Sequence, residues 1–246
     1  MVDRLFSDAY LAGLYDVWHP REVRDDFDFY MPRVMAAKAV LDVGCGTGMM
    51  LHDARDRGHA GRLCGLDPAE GMLARARRRT DVEWVLGDLV SAGFEDAFDL
   101  VVMTGHAFQT LVEDDEIAAA LAAVRRALTA DGRFAFETRH PAARAWEQWR
   151  PERAVEMTDA DGRPLRITTE VVRPFDGRTV SFTHTFTGPH PALPMVSRST
   201  LRFLDPAALA IALEAAGLAV EAEYGDWDGG ALGAASPEII VLARRA

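Results

Sequence analysis

A chain of 246 residues, 49% hydrophobic and 26% charged, is long enough to bury a full core in one elaborated α/β unit, so no disulfide staples are needed. Its 38 acidic residues against 27 basic ones leave a formal net charge of −11, which argues against nucleic acid as a partner, because phosphate backbones are bound by basic faces. Met1-Val2-Asp3-Arg4 lacks the basic-then-apolar pattern of a secretory signal, and the greasiest stretch, Leu204 to Val220, is interrupted by Asp205, Pro206, Glu214 and Gly217. A cytoplasmic protein without a membrane partner is expected.

Residues 1–38 read as helical and aromatic-rich, with Tyr10, Tyr15, Trp18, Phe27, Phe29 and Tyr30, and are expected to cap one end of a sheet. From Ala39 to about Thr138, apolar runs at Val40–Val43, Leu63–Leu66, Val82–Leu86, Phe98–Met103 and Arg133–Glu137 alternate with helical patterns, which predicts βα units and a parallel sheet. Cys45 and Cys64 fall inside this region and read as small buried hydrophobes in a reducing compartment. Arg75, Arg77, Arg78 and Arg79 close a short predicted helix, where cations suit the negative end of the dipole. In Asp114–Ala130, Ile117, Leu121, Val124 and Leu128 recur at helical spacing, with acids at the start and Asp131-Gly132 as the expected stop.

After Pro141 the pattern becomes antiparallel. Arg166–Arg173 and Thr179–Thr187 flank Pro174-Phe175-Asp176-Gly177, a strong hairpin signal, and Ser197–Phe203 is a third candidate strand. Val180, Phe182, His184 and Phe186 share one face by strand alternation; the face is expected to pack on the core, or else to roof an apolar pocket. A helix at Pro206–Ala216, with Leu209 and Leu213 one turn apart, precedes apolar strands near Leu218–Tyr224 and Glu238–Ala243. With no repeat and no long linker, residues 1–246 are expected to form one domain: an N-terminal cap (1–38), a binding core (39–138), an antiparallel insertion (139–204), and a C-terminal helix with the last strands (205–246). The fold class is doubly wound α/β.

The chemistry sits at the strand tips. Val40-Leu41-Asp42-Val43-Gly44-Cys45-Gly46-Thr47-Gly48 runs a strand into a bare-backbone turn with a helix N-terminus behind it, a place for a small polar ligand. The spacing is G-x-G-x-G, unlike the G-x-G-x-x-G of dinucleotide enzymes, and Asp42 would repel a pyrophosphate but suit a positively charged amino-acid group. Asp67, ending Gly65-Leu66-Asp67-Pro68, can accept both hydroxyls of a ribose. Asp88, in Gly87-Asp88-Leu89, could take an adenine amino group, with Leu89 covering the ring and Met72 and Leu73 on its other face.

These segments, with Phe98-Asp99-Leu100-Val101-Val102, resemble in order and spacing the motifs of class I S-adenosylmethionine (SAM)-dependent methyltransferases, over roughly residues 39 to 138. The resemblance implies a seven-stranded, mostly parallel sheet with an antiparallel last hairpin, and SAM as methyl donor. Asp42, Gly44, Cys45, Gly46 and Gly48 would then serve the methionine part, Asp67 and Pro68 the ribose, and Met72, Gly87, Asp88 and Leu89 the adenine. Thr104 after the fourth strand and Tyr15 in the cap would complete the donor site. Asp99 is given no role.

Methyl transfer from a sulfonium is an in-line displacement, so holding the acceptor and excluding water can supply much of the catalysis. Residues for the acceptor should follow the fourth strand (Met103-Thr104-Gly105-His106-Ala107-Phe108-Gln109) and the fifth (Glu137-Thr138-Arg139-His140). His106 is the first candidate for a base, followed by His140 and Glu137. The Asn/Asp-Pro-Pro-Tyr/Phe pattern of base and glutamine methylating relatives is missing after the fourth strand, which points to a small-molecule nitrogen or oxygen acceptor. The seven histidines are scattered and form no metal pair, so no metal is expected. A monomer or homodimer is expected. The alternatives are a SAM-binding regulatory module, an aminopropyltransferase, and an NAD-type dehydrogenase.

Overall fold

The computed structural model describes residues 2–246. The chain opens with α1 (Arg4–Ser7), α2 (Ala9–Trp18) and α3 (Asp25–Ala36), as the aromatic-rich N-terminal pattern predicts. It then alternates through β1 (Ala39–Val43), α4 (Met49–Asp56), β2 (Arg62–Asp67), α5 (Glu70–Ala76), β3 (Glu83–Leu86), α6 (Leu89–Ala92), β4 (Phe98–Met103), α7 (Asp114–Ala127) and β5 (Leu128–Arg139). Four strands follow: β6 (Val155–Thr158), β7 (Pro164–Arg173), β8 (Thr179–Thr187) and β9 (Met195–Arg202). The chain closes with α8 (Pro206–Ala215), β10 (Leu218–Tyr224) and β11 (Glu238–Arg245).

The main sheet has seven strands in the order β10-β11-β5-β4-β1-β2-β3. The five strands from β1 to β5 pair in parallel, and β11 runs antiparallel to both β5 and β10. Both faces are covered, which is why these strands read as continuous apolar runs rather than as alternation. Leu41, Val101, Phe134 and Phe136 point into one layer with α7 and α8, whereas their neighbours Val40, Leu100, Val102 and Ala135 point into the other with α3 and α4. Phe134 and Phe136 are fully buried and stacked 4.5 Å apart, and Phe108 leans on Phe136 at 4.7 Å. Phe134→Ala is therefore expected to cost about 3–5 kcal/mol in urea unfolding, the range for emptying a packed aromatic site.

A shifted boundary and an added strand are the main departures from the sequence reading. The crossover helix ends at Ala127 and not at Ala130, because Leu128 already pairs with Phe98 as the start of β5. Asp131-Gly132 is thus no helix stop but part of a bulge, where the register shifts between Phe98 and Leu100. Glycine is required there, since a Cβ at 132 would lie 2.8 Å from the Phe98 carbonyl oxygen. The addition is β6, an edge strand whose largely exposed side chains offered no apolar run to detect.

The second sheet, β6-β7-β8-β9, is antiparallel throughout. Its Val180–Phe186 face, expected to pack on the core, does not join the parallel-sheet core clusters: Val180 packs with Trp146 and Phe203, Phe182 lies on Trp149, and the cap helix α2 covers the Phe186 end. Phe186 packs with Leu5, Leu11 and Leu14, while Ala12 on the same helix meets Ala69 and Met72 of the main domain layer. Polar ties fasten the cap to both sides: Ser197 Oγ accepts the Leu5 N–H at 2.8 Å, and Thr47 Oγ1 donates to Asp16 Oδ1 at 2.5 Å. Cys45 and Cys64 are both buried and free. No helix among the described residues is long and apolar enough to cross a membrane.

Candidate active site at the strand tips

The glycine turn takes its shape from three left-handed residues, Gly44, Gly46 and Gly48, with φ of 71°, 57° and 80°. The Gly44 and Cys45 N–H groups bond the Leu66 carbonyl, tying the turn to the tip of β2. A Cβ on Gly46 would meet nothing within 4 Å, so the turn presents open space on that side, whereas Gly48 is held by Trp84, only 2.3 Å from where its Cβ would be.

Asp42 is 1% exposed and its Oδ1 is sealed from solvent without a hydrogen-bond partner among the described residues. A buried carboxylate oxygen without a partner is costly unless a ligand supplies one. Burial, with the nearby Asp67 charge adding to it, pushes the Asp42 carboxyl up to about 7, although Arg24 opposes the shift. Asp67 uses one oxygen for the Gly46 N–H and the other for the Ala69 N–H, each at 2.8 Å, and each oxygen retains a second lone pair. Pro68 follows it into the turn before α5. An acceptor-only carboxylate fastened in this way is oriented toward whatever lies along the glycine turn.

Asp88 is exposed and serves locally as the N-cap of α6, its Oδ1 accepting from Val90 and Ser91 in a capping box. Those bonds hold its carboxyl below the usual range. Gly87 lies just before it at φ 145°, Leu89 is buried, and Met72 is buried under the cap. Tyr15 sits on α2 near Met72 and lies 4.9 Å from the His19 ring. Thr104 is 8% exposed at the end of β4.

Beyond β4 the backbone turns left-handed at Gly105 (φ 65°) and at His106 (φ 62°), an uncommon conformation for a non-glycine residue. Glu137 holds it there: its Oε1 accepts the His106 N–H at 2.6 Å, and its Oε2 accepts the Tyr30 hydroxyl at 2.6 Å. Burial pushes the Glu137 carboxyl up to about 8. Both oxygens are thus occupied, so Glu137 positions the loop and does not face open space. The His106 ring turns the other way, with Nε2 at 3.0 and 3.1 Å from the two oxygens of Glu238. Burial and the Arg139 charge lower the His106 pKa against the pull of Glu238. A fifth of the His106 side chain remains accessible.

His140 lies apart in role. Its Nδ1 accepts the Ala142 N–H, capping a short helical turn at Pro141–Ala143, and its N–H bonds the Pro237 carbonyl. Nothing in these contacts joins it to the His106 loop. His184, by contrast, is satisfied by Thr169 and by ring contacts with Trp18 and Phe182, and burial holds it at about 4. Asp99, assigned no role from sequence, accepts the N–H groups of Lys38 and Ala39 and so anchors the start of β1.

Several site residues carried no local signal. Glu238 reaches His106 because β11 runs antiparallel to β5, pairing Glu238 with Arg139 and Ile240 with Glu137. Arg24, from the cap, forms a bidentate pair with Asp26 at 2.6 and 2.8 Å beside Gly105. Tyr30 comes from α3. Only Arg139 was within reach of sequence reasoning, as part of the segment after the fifth strand.

A family model described as a methyltransferase domain matches residues 40–132. Among curated proteins, the chain is 34% identical over 155 residues to a 2-phytyl-1,4-naphthoquinone methyltransferase of Thermosynechococcus vestitus, covering 61% of this chain and 64% of that one. It is 31% identical over 179 residues to a dTDP-3-amino-3,4,6-trideoxy-alpha-D-glucopyranose N,N-dimethyltransferase of Streptomyces venezuelae, covering 69% of this chain and 67% of that one. The chain therefore spans slightly under two thirds of the first relative's length. In fold it is similar to the CcbJ methyltransferase from Streptomyces caelestis, with a TM-score of 0.76 at 21% identity and 100% of each chain covered.

Proposed function

We propose that this chain, which belongs to the class I SAM-dependent methyltransferases, transfers a methyl group to a nitrogen or oxygen of a small-molecule acceptor. The observation that carries the reading is Asp42: a buried carboxylate with an unpartnered oxygen beside an open glycine turn fits a ligand bearing an ammonium group. In this reading Asp42 and the turn Gly44–Gly48 hold the amino-acid end of SAM, Asp67 the ribose, and Asp88 with Leu89 and Met72 the adenine. When bound, SAM supplies an electrophilic methyl group on a positively charged sulfur.

The rest falls to the protein's own residues. The cap is pinned beside the turn by the Asp16–Thr47 bond, a position from which it would shield bound SAM from water. His106 is the group placed to take a proton from the acceptor: its pKa is lowered, so the neutral ring predominates near neutrality, and Glu238 stabilises the cation formed after proton transfer. Glu137 and Tyr30 hold the loop in its left-handed shape. The curated relatives act on a quinone and an amino sugar according to their names, which supports a small-molecule acceptor here.

Calorimetry tests the donor site. SAM and its demethylated product are expected to bind and NAD not to bind. Asp67→Ala should weaken SAM binding by about 1–3 kcal/mol through loss of hydrogen bonds to the ribose. Binding of NAD in preference to SAM would overturn the assignment.

A further inference from the structure

The site holds a cation, Arg139, that no carboxylate contacts among the described residues, although Glu238, across the strand from it, and Glu137 lie near enough to favour its charged form. Arg139 projects from the end of β5, half-buried, and its one side-chain hydrogen bond among the described residues is neutral, from Nη1 to Gln109 Oε1 at 2.8 Å. Among the described residues no carboxylate lies within salt-bridge distance of it, in contrast to Arg24, which Asp26 neutralises bidentately. The unused donors on Nε and Nη2 are not among the sealed polar atoms of the interior, so they face accessible space. Arg139 pairs in register with Glu238, the hydrogen-bond partner of His106, so its side chain starts from the same strand tips. A guanidinium offers a planar fork of donors suited to two oxygens of one anion.

The surroundings of this fork are rings. Trp149 lies 5.7 Å from the guanidinium carbon, Phe182 is 4.5 Å from Trp149, His184 is 5.1 Å from Phe182, and Trp18 is 4.8 Å from His184. Trp149 from the segment before β6, Phe182 and His184 of β8, and Trp18 of α2 thus form an aromatic row that begins at Arg139. Neither His184, held neutral with a pKa of about 4, nor these indoles can pair with the cation.

Resting on the methyltransferase reading, we infer that the acceptor is an anionic small molecule. Its oxyanion, a carboxylate or phosphate, pairs with Arg139 while a flat apolar body lies along the Trp149–Phe182–His184–Trp18 row. The acceptor's nucleophile then points toward His106. The Gln109 bond, itself braced by Gln109 donating to the Arg202 carbonyl, holds the guanidinium in place before the acceptor arrives.

The test is calorimetry of the protein loaded with S-adenosylhomocysteine, titrated with benzoate, phenyl phosphate and benzamide. The anions are expected to bind at least about tenfold more tightly than benzamide, and Arg139→Met should bring them down to the benzamide level, with Arg139→Lys retaining part of the difference. Tighter binding of benzoate would identify a carboxylate, and tighter binding of phenyl phosphate a phosphate. Equal binding of benzamide and both anions, no binding of either anion, or full retention of anion binding by Arg139→Met would overturn the inference. If Arg139→Met does not fold, the anion-to-amide ratio in the wild type and in Arg139→Lys still decides. S-adenosylhomocysteine affinity, measured in the same series, is expected to be unchanged by the substitutions. Its absence in the wild type would overturn the donor reading separately, and the anion titration would then be read on the unloaded protein.

Discussion

Asp42→Asn is expected to stabilise the ligand-free protein above about pH 7 while weakening SAM by about ten- to a hundredfold, an unusual pairing of gain and loss. In the unfolded chain an aspartate titrates near 3.9, whereas burial pushes Asp42 up to about 7 in the folded protein. A raised acid contributes stability that is fully present below the unfolded pKa and is lost as pH rises through the folded one. Between about pH 4 and pH 7 the folded protein therefore loses stability as Asp42 comes under pressure to ionise, to a total on the order of 4 kcal/mol. Asparagine removes that loss, so its advantage in thermal melts should grow from about pH 4 and level off above pH 7. Glu137, pushed up to about 8, acts in the same direction and keeps some slope in the variant.

Ligand binding should reverse the effect in the wild type. An ammonium beside Asp42 favours its charged form, so SAM binding at about pH 6 should release a proton, visible as a dependence of the calorimetric heat on the buffer's ionisation enthalpy. Asp42→Asn should abolish that dependence. An unchanged SAM affinity in the variant, or a lower melting temperature at about pH 8, would remove Asp42 from the donor site.

His106→Ala should lower kcat by about 10²–10⁴-fold and leave the KM for SAM within about twofold, because the ring acts on the acceptor and not on the donor. The pH profile provides a readout that a structural role would not move. A base works in its neutral form, so activity should fall on the acid side through the His106 pKa, which lies below the usual value for histidine. Glu238 raises that pKa through its hydrogen bond and charge. Glu238→Gln should therefore shift the acid limb to lower pH while reducing the maximal rate, since the imidazolium loses its partner. A profile that does not move, together with turnover near the wild-type level in His106→Ala, would exclude the ring as a base.

Both experiments probe features with different origins in the chain. The residues proposed for the donor half were legible because each sits beside a local cue: Asp42 precedes a glycine turn, and Asp67 and Asp88 end the next apolar runs. Consecutive parallel strands place their tips along one edge, so residues close to such cues become neighbours without further information. The parallel runs, the Asp-Gly hairpin and the closing helix were readable for the same reason, since periodicity and turn chemistry act over a few residues. Local acids also had local uses that pattern alone did not separate, as the capping role of Asp88 and the anchoring role of Asp99 show.

The acceptor half depended on tertiary structure. Glu238 lies 132 residues from His106 in the chain and meets it only because the last strand reverses direction beside β5. Tyr30 reaches Glu137 from α3, 107 residues away, and makes a candidate base into a brace. His140 is spent on a turn two residues on, and the aromatic face of β8 meets the cap helix instead of the core. The sequence alone determined the fold class and the donor, because those rest on short-range pattern and strand order. Which side chains gather around the acceptor was decided by long-range packing of cap, insertion and reversed strand, where no spacing in the chain records the contact.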